Sequence, residues 1–213
     1  MKPAVVFVAA VSLAGIWQKM TQPTNSAAAT ARGLGAYARQ QPAEAVAEFG
    51  TATAIDPSAQ NQFNLGTAQI AAGQRAAGSA TLTKAMADPA LRARALFNRG
   101  NSALAANAYD HAIRDYTDAL RLTPGDRDAK RNLEIALQRQ ESQQQQQQSG
   151  GQNNQQGGSN QQQQQAPQPA PQQSEQRQGE ADAEALLRSV QQQEQEELSR
   201  MKRARGDSRR VGW

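Results

Sequence analysis

ALFNRGNSALAANAYDHAIRDYTDALRLTP, residues 95–124, carries two helical periodicities separated by a break. Leu96, Gly100 and Ala103 share one face of a first helix, and Ala112, Tyr116 and Ala119 share one face of a second, at the three-to-four-residue steps along which helical side chains align. Asn107 sits where the chain must turn. Pro124 stops the second helix, because its ring lacks an N–H and clashes with the preceding turn. The small residues Gly100, Ala112 and Ala119 let two helix backbones approach closely, while Leu96 and Tyr116 fill the space beside them. The stretch reads as an antiparallel helical hairpin. A single hairpin cannot bury its apolar face alone, so the rest of the chain must supply neighbours of the same kind.

It does so at a fixed interval. FNRG at 97–100 echoes FNLG at 63–66, placing Phe63 and Phe97, Asn64 and Asn98, and Gly66 and Gly100 each 34 residues apart. Gly73 stands where the later copy has Asn107, and Gly78 takes the close-contact position of Ala112. An earlier copy runs through Gly33, Ala45, Phe49, Ala52 and Pro57. On these residues the chain resembles the tetratricopeptide repeat (TPR) proteins, whose unit is a helical hairpin of about 34 residues. The fold expected is an all-α solenoid of about three TPR hairpins over 26–141. Its first helices begin with 26–40 and 58–73, and its second helices with 42–55 and 74–87. Residues 126–140 start like another first helix, with Asn132 again 34 residues past Asn98. No second helix follows directly, so 126–141 is expected to cap the array with a polar outer face.

Composition divides the 213-residue chain sharply. Only the first two-thirds, Ala- and Leu-rich, can bury a core, and one modest folded domain is the expectation. Absence of Cys excludes disulfides and thiolate chemistry, and a single His, His111, excludes paired-histidine metal sites. Residues 1–25 hold Lys2 and then an apolar run from Ala4 to Trp17, which reads as a signal peptide or N-terminal membrane anchor. The hairpins would then face the periplasm, either free or membrane-anchored. Residues 142–178 are rich in Gln, Gly and Pro, with two charges, Glu175 and Arg177. Such a segment cannot offset the entropy of ordering and is expected to be a disordered linker, although the Gln tract can extend the preceding helix a little. Helical composition returns over 179–205, with Leu186, Leu187, Val190, Leu198 and Met201 as a thin apolar stripe. Such a stripe places this helix outside the main core. Residues 206–213 form a basic tail ending in Trp213. Leu186, Leu187, Val190 and Trp213 form a candidate second docking element for a partner or an anionic membrane surface. Self-pairing of this helix is left open.

The chemistry-bearing candidates lie on the first helices. In TPR proteins their inner faces form a concave groove that holds partner peptides. Asn64, Asn98 and Asn132 fall at equivalent positions of three successive first helices, and an Asn amide can both donate to and accept from an extended backbone. Arg94 and Asn101 flank Asn98, and Arg131 flanks Asn132, which completes the candidate partner-binding set. TPR proteins that clamp a terminal carboxylate use Lys, Arg and Asn at such places. This chain departs from that pattern in having Ala31 at the equivalent of Asn64 and no Lys on its earliest first helix. His111 reads as a surface residue, and Asp110, Asp115, Asp126 and Asp128 read as solvated faces and helix starts. No phosphate loop, metal-spaced cluster or nucleophile motif is present, so no cofactor and no enzymatic activity are expected.

Feature order narrows the resemblance. An N-terminal export signal, a short TPR array ending in DAKRNLEIAL, a Gln-rich linker, a charged helix beginning ADAEALL and a basic tail ending in Trp213 are similar to the TPR proteins of bacterial aerotolerance (Bat) operons. That resemblance implies an envelope scaffold working beside von Willebrand A-domain membrane proteins and a MoxR-type ATPase. A net charge of +4 leaves nucleic-acid binding through the basic tail as a second reading, though no aromatic interleaving supports it. A generic exported TPR scaffold is a third.

Overall fold

The computed structural model describes residues 25–152 and 171–208. Among them the chain forms eight helices and no strand: α1 (25–38), α2 (Pro42–Ile55), α3 (Ala59–Ala71), α4 (Arg75–Ala85), α5 (Pro89–Ala105), α6 (Tyr109–Leu122), α7 (Arg127–Gln152) and α8 (Pro171–Ser208). Where composition leads to expect one folded domain, the chain divides into two compact units, with the division after Ser102, inside α5. The expected leader, Asn25 apart, lies outside the described residues, as do 153–170 and the tail from 209 onward, Trp213 included.

The turns explain why the hairpins form. After α1, Gln41 N–H donates to Ala36 O and Gln40 N–H to Tyr37 O. After α3 the same pair recurs as Gln74 to Gln69 and Gly73 to Ile70, and after α5 as Ala108 to Ala103 and Asn107 to Leu104. Each is the Schellman closure that satisfies the last carbonyls of a helix, and it needs one residue in the left-handed region. Gln40 (φ 58°), Gly73 (φ 79°) and Asn107 (φ 56°) supply it.

In the first unit, Ala36, Ala45, Phe49 and Ala68 form one apolar cluster, and Phe63, Leu82, Ala85, Leu91 and Ala95 form another. Glycine sets the helix spacing. A Cβ on Gly33 would sit 2.7 Å from the Phe49 ring, and one on Gly78 would sit 2.8 Å from the Gly66 carbonyl oxygen. α3 and α4 thus cross backbone to backbone, the closeness expected of Gly78. A buried polar knot secures α1 to α3: Asn61 Nδ2 donates to Ser26 Oγ (3.2 Å) and to the Asp56 carbonyl (2.9 Å), and Asn61 Oδ1 accepts from Thr30 Oγ1 (3.0 Å).

In the second unit α6 buries Ala112, Ile113, Tyr116, Ala119 and Leu120, and α7 buries Ala129, Leu133 and Ala136. Asp126 Oδ1 caps α7 by accepting from the N–H groups of Asp128 and Ala129. Two expectations are corrected here. α7 runs on through the Gln tract to Gln152 and α8 begins at Pro171, so both flanks of the expected 142–178 linker are helical. α8 also joins the core, packing on α6 with Ala183, Leu187 and Val190 buried. The apolar stripe is thin because three side chains at a spacing of four and three residues suffice to fill one groove.

Candidate functional site

α1, α3 and α5 present side chains to a concave pocket of about 400 Å³ in the first unit. α1 gives Leu34 and Tyr37, α3 gives Phe63, Asn64 and Thr67, and α5 gives Arg94, Phe97 and Asn98, with Phe49 of α2 behind them. Leu34 and Tyr37 are 53% and 43% exposed, high values for large apolar side chains on a packed helix. Their exposure follows from periodicity. On α1 the core takes Ala29, Gly33 and Ala36, which turns Leu34 and Tyr37 away from it.

Arg94 is the only charged side chain among the described residues lining the pocket. Its guanidinium lies over the Phe63 ring, 4.6 Å from the centroid. Stacking holds a long side chain in place while leaving the edge of its planar donor fork open to an anion. Asn98 Nδ2 donates to Thr67 Oγ1 (3.0 Å), bridging α5 to α3 and using one of its two amide hydrogens. Asn64 Oδ1 accepts from Gln60 Nε2 (2.9 Å), which leaves the Asn64 amide presented at the pocket wall.

The six candidate partner-binding residues separate. Asn64, Arg94 and Asn98 come together here. Asn101 lies further along α5 and is not part of the wall. Arg131 lines another cavity in the second unit with Lys130, Glu134, Glu194, Leu198 and Met201. Asn132, expected to extend the amide ladder, hydrogen-bonds the side chain of Tyr116. Burial pushes the Tyr116 phenol well above its ordinary value, and the hydrogen bond from Asn132 opposes that shift.

Other expectations also change. Leu187 and Val190 are buried within the second unit, so they are not a free docking pair, and Leu186 is half-buried. Asp115 is 5% exposed, not solvated, because it lies on the inward face of α6 beside Ala112 and Ala119. Asp110 accepts from Gln176 Nε2 at 2.7 Å and from Gln140 Nε2. His111 is exposed, with Arg114 Nη2 3.0 Å from its Nδ1. The pocket residues not anticipated as site residues are Leu34, Tyr37, Phe49, Phe63, Thr67 and Phe97. The repeated Phe-Asn pair at 63–64 and 97–98 is the signal that could have disclosed two of them.

Residues 93–126 match the tetratricopeptide repeat family model. Comparison with curated protein sequences finds no match. Among solved structures the chain is similar to the Arabidopsis OM64 TPR domain, at 23% identity over 54% of this chain and 96% of that one, TM-score 0.51. It is similar to the second TPR domain of human RPAP3 in complex with the HSP70 peptide SGPTIEEVD, at 19% identity over 54% and 97%, TM-score 0.50. The crystal structure of MamA is matched at 16% identity over 86% and 87%, TM-score 0.54. At such identities the likeness is one of fold. The chain carries a tetratricopeptide repeat at residues 93–126, and its fold is that of the TPR helical-hairpin solenoids.

Proposed function

We propose that the chain is a non-enzymatic protein-interaction scaffold that binds an extended segment of a partner protein in the α1–α3–α5 pocket. The observation that carries this reading is the concave wall on which exposed Leu34 and Tyr37 meet Phe63, Phe97 and one stacked cation, Arg94. Apolar side chains left in water at a concave surface gain about 25 cal/mol for each Å² that a ligand covers. The similar RPAP3 domain is in complex with a peptide, which supports peptide binding by a chain of this fold. The preferred segment places an aliphatic or aromatic side chain against Leu34, Tyr37 and the Phe rings, its backbone against Asn64, and a carboxylate against Arg94.

We further propose that the scaffold works at the bacterial envelope, facing the periplasm, with the apolar N-terminal segment as leader or anchor. Its partners would be von Willebrand A-domain membrane proteins acting beside a MoxR-type ATPase, as the Bat-operon resemblance implies. Site-specific photocrosslinking in cells tests both proposals. A crosslinker at Tyr37 should capture a discrete membrane-protein partner, and the same crosslinker at Lys84 of α4, which is not on the pocket wall, should not. Equal capture at both positions, or none at Tyr37, would overturn the groove assignment.

A further inference from the structure

Each second helix in this fold buries three residues at positions i, i+4 and i+7. They are Ala45, Phe49 and Ala52 in α2, Gly78, Leu82 and Ala85 in α4, and Ala112, Tyr116 and Ala119 in α6. α8 buries Ala183, Leu187 and Val190, which is the same spacing. Its polar contacts fix its direction. Lys130 Nζ meets Glu194 Oε2 at 2.6 Å and Gln144 Nε2 meets Glu180 Oε1 at 3.1 Å, so α8 runs antiparallel to α7. Gln176 reaches Asp110 at the start of α6, and Asp182 lies 3.6 Å from Arg121 near its end, so α8 runs the same way as α6. Antiparallel to the preceding first helix and parallel to the preceding second helix is the placement of a second helix in a hairpin array.

We propose that α8 is the second helix of a split fourth hairpin, and that its seat on α6 and α7 is an exchangeable helix-binding site. Three features support exchange. The short turns of the other hairpins, such as 39–41 and 72–74, are here replaced by the eighteen residues 153–170, so α8 is tethered and not folded back directly. Among its described side chains only three apolar ones, Ala183, Leu187 and Val190, are buried, in a helix of 38 residues. Its fastening is charge-complementary and sequence-specific, with Lys130, whose side chain is 15% exposed, facing Glu194. The seat therefore fits an amphipathic helix with a small residue at i, aliphatic residues at i+4 and i+7, and an acid at i+11. α8 is the copy that the chain itself carries. A partner helix of this pattern takes the seat when α8 leaves, and the released α8 then exposes Leu187 and Val190.

A fluorescent peptide of residues 171–208, titrated into the full-length chain, tests this. Tethering gives α8 an effective concentration on the order of millimolar, so the wild-type chain should bind the peptide weakly. The Leu187→Asp chain, whose own α8 is loosened, should bind it at least tenfold more tightly. A Leu187→Asp peptide should bind neither chain. Carrying Lys130→Glu in the Leu187→Asp chain should weaken wild-type peptide binding, and Glu194→Lys in the peptide should restore it. That charge-swap rescue distinguishes a specific seat from a chain that has merely lost structure. Equal affinity for the wild-type and Leu187→Asp chains, or absence of rescue, would overturn the proposal.

Discussion

Asn61 is 5% exposed and makes hydrogen bonds to Ser26, Thr30 and Asp56, so one amide sets how α1 meets α3. Asn61→Leu strands those partners in a buried setting and should destabilise the first unit by about 1–3 kcal/mol, read by urea unfolding. Tyr116 gives a pH test for the second unit. Its folded-state pKa lies above the ordinary value of 10.0, so the neutral phenol is favoured in the folded chain. The stabilisation is complete below about pH 10 and is lost as pH rises beyond it, where the unfolded chain ionises first. Melting temperature should therefore fall more steeply above pH 10 in the wild type than in Tyr116→Phe, and parallel slopes would contradict this assignment. At this scale the sequence is half legible. A 34-residue recurrence puts Asn64, Asn98 and Asn132 on corresponding helix faces. It is silent on which neighbour each amide meets, and Asn132 meets Tyr116. Leu34 and Tyr37 escape it because the earliest copy lacks the Phe-Asn signature.

Two glycines, one in α4 and one in α2, separate close approach from simple flexibility. Gly78→Ala would push a methyl against the Gly66 carbonyl and Ile70 and should cost about 1–3 kcal/mol. Gly50→Ala in α2 meets nothing within 4 Å and should stabilise by about 0.5–1 kcal/mol, because glycine weakens a helix interior. Thermal unfolding of both variants checks the pair; two destabilised proteins would contradict the packing described. The hairpins were legible because every cue is local: apolar spacing, a turn residue, a stopping proline. The length of α7 was not, since Gln is a good helix former and a polar tract shows no periodicity from which to place an end. Nor was the docking of α8. Its partners Asp110 and Lys130 lie 66 and 64 residues away, and no local pattern reports a pairing across that separation.

For the molecule as a whole, the first unit offers the pocket proposed to take an extended segment, and in the second unit α8 packs on α6. No described helix is long and apolar enough to cross a membrane, so an anchoring role rests on the apolar run from Ala4 to Trp17. A reporter enzyme active only outside the cytoplasm, fused after Trp213, should be active when residues 1–25 are present and inactive when they are deleted. The proposed function rests on the groove. Its most direct test is the dissociation constant of the crosslinked partner segment, made as a peptide, for the wild type, Leu34→Asp, Arg94→Ala and a Lys84→Ala control. Leu34→Asp and Arg94→Ala should each bind at least tenfold more weakly, with melting temperatures and the Lys84→Ala affinity unchanged. Wild-type affinity in both groove variants would contradict the proposed function.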